Sequence, residues 1–229
     1  MLTHVRRAPV LCQSQGGASS ARRSRITWLF HPHPVRNASR FGSVAHGRHQ
    51  PAEVAIVEAK KQQSPFWRFS LRIYPSVADA CLELQDGFGV DVNVLLFLLW
   101  AAHHGRTVRA DEVRRILSAV ESWNRSVVVP LRSVRRFLRD PPSIVEADAA
   151  ASLRQHVKQV ELEAERLQQE GLYRFAPINE LGEPESSPEA AAAANIKAYA
   201  VELGTVFPPP LVETLLAGFR RLEQHGQDT

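Results

Sequence analysis

The most constraining feature of this 229-residue chain is a segment that has no polar side. Residues 94–102 read VLLFLLWAA, so a helix formed there is apolar all the way round. Such a helix has to be enclosed by other helices or by a membrane. The segment is much shorter than the ~20 apolar residues that cross a bilayer. It therefore predicts the buried central helix of a globular domain.

Helix-capping residues, prolines and glycines divide the chain around this segment. The boundary residues are Ser64-Pro65, Pro75-Ser76, Gly87, Gly89, Asp91 and Gly105. Between them, apolar residues recur at three- and four-residue steps, as on one face of a helix. Pro75 is predicted to end a first helix, because an internal proline removes a backbone hydrogen bond and clashes with the preceding turn. Ser76 then begins a second helix, and Asp91 caps the central one.

Two further helices are predicted after the central one. The fourth opens with an acidic first turn at Asp111, which suits the positive end of a helix dipole. The fifth spans roughly residues 128–138 and is predicted to bury Leu131, Val134 and Leu138, which lie three and four residues apart.

The fold class predicted for the chain is all-α, in three regions. Residues 1–63 form a disordered basic tail, residues 64–140 a compact bundle of about five helices, and residues 141–229 an acidic helical extension. Residues 64–140 carry 11 basic and 8 acidic side chains, whereas residues 141–229 carry 7 and 14. The extension has an apolar seam with the spacing of a short coiled coil or helical hairpin: Leu153, Val157, Val160, Ala164 and Leu167.

The N-terminal tail accounts for the basic isoelectric point of about 9.4. Residues 1–53 hold eight arginines and a single acidic residue, Glu53. No helical or alternating apolar pattern runs through them beyond residues 26–30. We favour a translation start assigned too far upstream, with Val54 or Val57 as the true first residue. The alternatives are an organelle transit peptide and a genuine basic tail that binds nucleic acid.

The two cysteines favour a reducing compartment. Cys12 lies in the tail and Cys81 on a predicted apolar helix face, so no internal disulfide is expected. The expected location is therefore the cytoplasm. No run of residues approaches the ~20 apolar residues of a membrane span, so no membrane association is expected.

The stretch from residue 66 to residue 139 carries a string of residues that suggests a family. The string is Phe66-Trp67, Phe69-Ser70-Leu71, Tyr74, Leu82, Leu84-Gln85-Asp86, Gly89, Asp91-Val92-Asn93, Leu95-Leu96-Phe97, Trp100, Trp123, Pro130-Leu131-Arg132 and Arg135-Arg136. It resembles a family of conserved hypothetical bacterial proteins defined by a domain of unknown function. The resemblance covers about a third of the chain. It implies a bacterial origin and a domain boundary, and it implies no activity.

The densest group of polar residues surrounds the turn before the central helix. Gln85, Asp86, Asp91 and Asn93 lie there, and Trp100 follows two turns further along the helix. The structural interpretation, which the sequence favours, is that Asp91 accepts the free backbone N–H groups of the helix and Asn93 satisfies a buried partner. The functional alternative is a polar pocket beside Trp100 that holds a ligand.

A stripe of arginines lies on the fifth predicted helix, opposite its apolar residues. Arg132, Arg135, Arg136 and Arg139 are three and four residues apart, so they share one face. Such a stripe can bind phosphates, including those of nucleic acid. No aromatic residues are interleaved with the arginines, which weakens a nucleic-acid interpretation. The sequence favours a solvated face or a contact with the acidic half of the same chain.

No motif predicts a catalytic residue, a cofactor or a metal. Adjacent side chains on a helix diverge by about 100°, so His103-His104 is a poor metal site, and a histidine at a helix end is the simpler explanation. The Gly87-Phe88-Gly89 sequence is not a phosphate loop, because neither of the glycine-rich nucleotide motifs is present.

Two functions follow from these features. The favoured one is a non-enzymatic interaction or adaptor module that binds an unidentified protein. The alternative is a small enzyme or ligand-binding protein with a polar pocket near Asp86, Asn93, Trp100 and Arg132. A deep pocket lined by these side chains favours the alternative, and an exposed apolar groove favours the adaptor.

Overall fold

The computed structural model describes residues 63–227, and the side chains of residues 63–224. The predicted tail, residues 1–63, therefore lies outside the described residues except for Gln63. The described part of the chain forms seven α-helices: α1 (Pro65–Phe88), α2 (Val92–His103), α3 (Ala110–Trp123), α4 (Val129–Phe137), α5 (Ala147–Phe175), α6 (Pro188–Glu202) and α7 (Pro209–Gln227). Two short strands, β1 (Arg106–Thr107) and β2 (Glu183–Pro184), form an antiparallel pair. The all-α fold class is thus confirmed.

Helix α2 is the buried centre, as its sequence predicts. All its residues from Asn93 to Ala102 are buried. Helices α1, α5 and α6 surround it. The fully buried Asn195 fixes the contact between α2 and α6, because its amide donates to the backbone oxygens of Leu98 and Arg106, at 3.0 Å each. None of the helices in residues 63–227 is long and apolar enough to cross a membrane.

The prediction that Pro75 ends a helix is wrong. Helix α1 runs through Pro75 for 24 residues. The proline is exposed, while Ile73, Tyr74 and Val77 on either side of it are buried against other helices. Burying each such side chain contributes about 1.5–3 kcal/mol, which offsets the ~3 kcal/mol that an internal proline costs. Gly89 ends the helix in a left-handed conformation, with φ of 69°.

The charge boundary near residue 140 is not a packing boundary. Side chains of α6 and α7 belong to the same hydrophobic core as those of α1 and α2. Ile196 and Tyr199 of α6 and Leu215 and Phe219 of α7 are at most 1% exposed. The acidic segment therefore completes the core rather than extending from it.

Helix α4 presents the face opposite to the prediction. Val134 of α4 is 47% exposed, and Leu131 and Leu138 are only partly buried. The seam of α5 also points largely outward, since Leu153 and Val160 are 51% and 55% exposed. The charged faces of the two helices meet instead. Buried charges are tolerated when each has a partner of opposite sign, and here each helix supplies the partners of the other.

Candidate functional site

A cavity of about 350 Å³ lies where the charged faces of α4 and α5 meet α1 and the start of α2. We call it the charged cavity. Its lining consists of Trp67, Tyr74, Leu82, Gln85, Asp86, Val92, Asn93, Leu96, Arg132, Arg135, Arg136, Arg139, Lys158, Glu161, Leu162, Glu165 and Gln169. Its volume is within the usual range for small-molecule sites, about 300–1,000 Å³.

The inner wall of the charged cavity is a network of buried ion pairs. Arg132 donates from Nη2 to Glu165 Oε1 at 2.9 Å and from Nε to Glu161 Oε1 at 3.3 Å. Arg135 also donates to Glu161 through two nitrogens. The four side chains are between 6% and 17% exposed. The network holds both guanidinium groups in fixed orientations.

The mouth of the charged cavity is more exposed and carries more positive charge. Arg136 donates to Asp86 at 2.7 Å, with both side chains about half exposed. Partial burial acts to raise the pKa of Asp86, but the hydrogen bond and charge of Arg136 hold it below its usual value. Arg139 and Lys158 line the same cavity. Arg139 makes no ion pair with any residue that the structure describes.

Glu165 is the titratable group of the cavity whose pKa lies nearest neutrality. Burial raises the pKa of its carboxyl to about 7, an effect that the adjacent Arg132 opposes and the nearby Glu161 reinforces. Near neutral pH this carboxyl therefore exchanges a proton readily. Five basic side chains of the cavity face three carboxylates when Glu165 is ionised and two when it is protonated.

The end of the cavity nearest α2 is formed by side-chain amides. Gln169 donates to the amide oxygen of Asn93 at 2.8 Å, and Asn93 donates to Gln168 at 3.3 Å. Asn93 thus satisfies buried partners while it lines the cavity. The second polar atom of Gln169, its Oε1, is buried and accepts no hydrogen bond within the described part of the chain.

Asp91 does not line the charged cavity. Its carboxylate caps α2 by accepting from the backbone N–H groups of Asn93 and Val94, at 2.9 and 3.3 Å. It also accepts at 2.6 Å from the side-chain amides of Asn124 and Gln168. Asn124 begins the π-helical turn between α3 and α4 (Asn124–Val128). Asp91 therefore ties three helices together.

Trp100 also lies away from the charged cavity, contrary to the predicted pocket beside it. The ring contacts Phe66, Phe69 and the two histidines at the end of α2. Trp100 lies two turns beyond Asn93 on the same side of α2, so about 10 Å along the helix axis separates it from the end of the cavity at Asn93. His103 in this group hydrogen-bonds Glu223 of α7 at 2.5 Å. Within residues 63–227 no group of three histidine, cysteine, aspartate or glutamate side chains could hold a metal ion.

The structure thus brings together only part of the predicted site. Of the candidate residues, Gln85, Asp86, Asn93 and the four arginines line the charged cavity, and Asp91 and Trp100 do not. The sequence analysis missed the residues on α5, above all Glu161 and Glu165. The signal for them was available: they lie four residues apart on an acidic helix, and the arginines of α4 have matching spacing.

A second surface feature lies on the outer side of α5. We call the seam of Leu153, Val157, Val160, Ala164 and Leu167 the α5 stripe. Its Leu153, Val160 and Leu167 are exposed, Val157 is half-buried and Ala164 is buried. At its end a shallow apolar groove is lined by Trp123, Leu167 and Phe175, which are 37–46% exposed. The indole of Trp123 donates to the backbone oxygen of Ala164 at 3.0 Å.

These observations define an all-α protein with a charged, partly enclosed cavity. Residues 65–172 match the model of a family described as "Protein of unknown function (DUF2390)". The match confirms the resemblance to a family defined by a domain of unknown function and extends it to Leu172, in the last turn of α5. A comparison with curated proteins and with solved structures found no match for the chain.

Proposed function

We propose that the protein binds a small anionic molecule in the charged cavity. The observation that carries the proposal is the surplus of cations: five basic side chains and at most three carboxylates line one cavity of about 350 Å³. A partly enclosed cavity with net positive charge attracts anions, because the surrounding protein screens its field less than water does.

The arrangement of the arginines supports the proposal. Arg132 and Arg135 are held by Glu161 and are neutralised by it and by Glu165. Arg139 retains its charge at the mouth without a carboxylate partner among the described residues. A guanidinium group matches carboxylate and phosphate oxygens through paired hydrogen bonds. Arg136 is available in the same way when it exchanges Asp86 for a ligand.

The family match supports the same site. Every residue that lines the charged cavity lies between positions 67 and 169, within the matched residues 65–172. The shallow groove at the end of the α5 stripe extends beyond the match, through Arg174 and Phe175. If the bound anion is also a substrate, Glu165 is the cavity residue able to exchange a proton with it near neutral pH.

Isothermal titration calorimetry with small carboxylates and inorganic phosphate tests the proposal. We expect saturable binding that Arg139→Gln weakens by roughly tenfold, as for loss of one charged hydrogen bond. The matched control is Arg125→Gln, because Arg125 is exposed, pairs with Glu121 and does not line the cavity. Equal affinities of the two variants, or no binding of any anion, would contradict the proposal.

The α5 stripe supports a second candidate function, protein–protein interaction, and we commit to a second copy of the chain as its partner. Leu153, Val160 and Leu167 are seven residues apart. An antiparallel pairing about Val160 places Leu153 against Leu167 of the second copy, and Val160 against itself. Such a self-complementary contact is typical of two-fold symmetric dimers.

Analytical ultracentrifugation of the full chain tests this second candidate, because it shows whether the protein is a monomer or a dimer. A dimer that Val160→Glu converts to a monomer supports it, because a buried like-charge pair opposes association. Val201→Glu is the control, since Val201 is 58% exposed on α6. A monomer at all concentrations excludes self-association through the stripe and leaves binding of other proteins there as the remaining interaction.

A further inference from the structure

We infer that the ligand of the charged cavity is an amphipathic organic anion, with a carboxylate or phosphate head and an apolar body. The inference rests on the proposed function and narrows it to a ligand class. It depends on a second property of the cavity, the apolar side chains that share it with the charged ones.

Four aliphatic side chains line the cavity between its charged groups. Leu82 comes from α1, Val92 and Leu96 from α2, and Leu162 from α5. Leu82, Val92 and Leu162 are only partly buried by the protein itself. Apolar surface left uncovered inside a cavity is stabilised when a ligand removes it from water. A bare inorganic anion would leave that surface uncovered.

The apolar surface of the cavity reaches the cationic mouth. Arg136 bonds to Asp86, near the C-terminal end of α1, and this contact marks the cationic mouth. Leu82 lies four residues before Asp86, one turn along the same face of α1, and lines the same cavity. A ligand can therefore place its head at the mouth and its body against Leu82.

The inner ion pairs are compatible with this orientation. Arg132 and Arg135 have their charges satisfied by Glu161 and Glu165, so they offer less attraction for a second anion than the mouth does. With Glu165 ionised, the wall holds two guanidinium groups and two carboxylates. The ligand body thus passes a wall whose net charge is small, and the head remains at the surplus of cations.

Calorimetric titration of the full chain with matched ligands tests the inference. The probes are octanoate and 2-naphthoate, their neutral amides, acetate and inorganic phosphate. We expect octanoate to bind more tightly than acetate, by about fourfold for each methylene that is fully buried. We also expect both organic anions to bind at least tenfold more tightly than their amides, because only the carboxylate reaches the cationic mouth.

A matched pair of variants locates the apolar body. Leu82→Gln should weaken octanoate binding severalfold and leave acetate and phosphate unchanged. Leu153→Gln is the control, because Leu153 is exposed on the α5 stripe and does not line the cavity. Equal losses in both variants, or a loss only in Leu153→Gln, would place the apolar body on the stripe and overturn the inference.

The outcomes separate this inference from the proposed function. If acetate or phosphate binds as tightly as octanoate, the ligand class is wrong and the anion site stands. If the amides bind as tightly as the carboxylates, or if no anion binds, the proposed function fails and the inference fails with it.

Discussion

Asp91 shows how one side chain fixes the junction of several helices. Its carboxylate accepts two backbone and two side-chain hydrogen bonds, and its backbone N–H donates to the hydroxyl of Tyr199 at 2.8 Å. Burial raises the pKa of Asp91, while the donors act in the opposite direction. The sequence predicted the cap on α2 because capping depends on neighbouring residues. It could not predict Asn124 and Gln168, which are 33 and 77 residues away.

Replacement of Asp91 by alanine should destabilise the protein by about 3 kcal/mol, more than the ~1 kcal/mol of a simple cap. The added cost arises because Asn124 and Gln168 are left with donors that have no acceptor. Urea unfolding measures the loss. Asp86→Ala is the control, since Asp86 lies at the exposed mouth of the cavity and should cost less than about 1 kcal/mol. Equal losses of stability in Asp91→Ala and Asp86→Ala would show that Asp91 does no more than cap α2.

Glu165 gives the stability of the protein a defined pH dependence. The folded-state pKa is about 7, compared with an ordinary value of 4.5. Between these values the folded chain binds more protons than the unfolded chain, so stability falls as pH rises through this window. The free energy of unfolding of the wild type, relative to Glu165→Gln, should therefore decrease from pH 4.5 to pH 7 and level off above. If this difference in the free energy of unfolding stays constant or rises over that window, the pKa of the Glu165 carboxyl is not raised in the folded protein.

At the scale of elements, local signals predicted helix ends well and helix faces poorly. The stops at Gly89 and Gly105 are both left-handed glycines, as expected from sequence. The face of α4 was assigned by assuming that its apolar residues point inward, and the apolar seam of α5 was assigned to a coiled coil or helical hairpin. In the structure the paired charges of these helices turn inward, and the apolar residues of the α5 stripe remain exposed. Hydrophobic periodicity alone cannot detect this, because it does not identify a charged partner on another helix.

The continuity of α1 through Pro75 depends on a close contact with α7. A Cβ added at Gly218 would lie 2.4 Å from Val77 Cγ1 and 2.8 Å from Ser76 Oγ. Gly218→Ala should therefore destabilise the protein by about 1–3 kcal/mol, because the two helices would have to separate. Thermal unfolding measures the effect.

Gly171 provides the matched control for that substitution. It lies within α5, and a Cβ there would have nothing within 4 Å. Gly171→Ala should leave stability unchanged or raise it by up to about 1 kcal/mol, through helix propensity alone. A Gly218→Ala variant with unchanged stability would mean that α1 and α7 do not approach each other so closely at this position.

For the whole molecule, charge distribution and core formation follow different boundaries. The change from basic to acidic composition near residue 140 predicted two regions, whereas the hydrophobic core includes side chains on both sides of it. The reason is physical: most acidic residues of this segment lie at the surface or in the charged cavity, and apolar side chains of α6 and α7 pack with those of α1 and α2. The charged cavity exists because the two halves bring opposite charges to one place.

A chain ending at residue 140 should therefore fail to fold cooperatively. It would lack Ile196, Tyr199, Leu215 and Phe219, all essentially fully buried in the common core. Loss of each large core side chain typically costs 2–5 kcal/mol, so their combined loss exceeds the usual stability of a domain, about 5–15 kcal/mol. Near-ultraviolet circular dichroism during urea unfolding, with residues 63–227 as the control, measures the effect. A cooperative transition in the shorter chain would support an independent domain.

The measurement that tests anion binding in the charged cavity most directly is nuclear magnetic resonance of the leucine methyl groups during titration with octanoate. Leu82 lines the cavity beside its mouth, whereas Leu153 and Leu167 of the α5 stripe do not line it. We predict a saturable shift of the Leu82 signals, with Leu153 and Leu167 unchanged and the effect weakened in Arg139→Gln. Leu82 signals that stay in place, or shifts of equal size at Leu153, would contradict binding in the charged cavity.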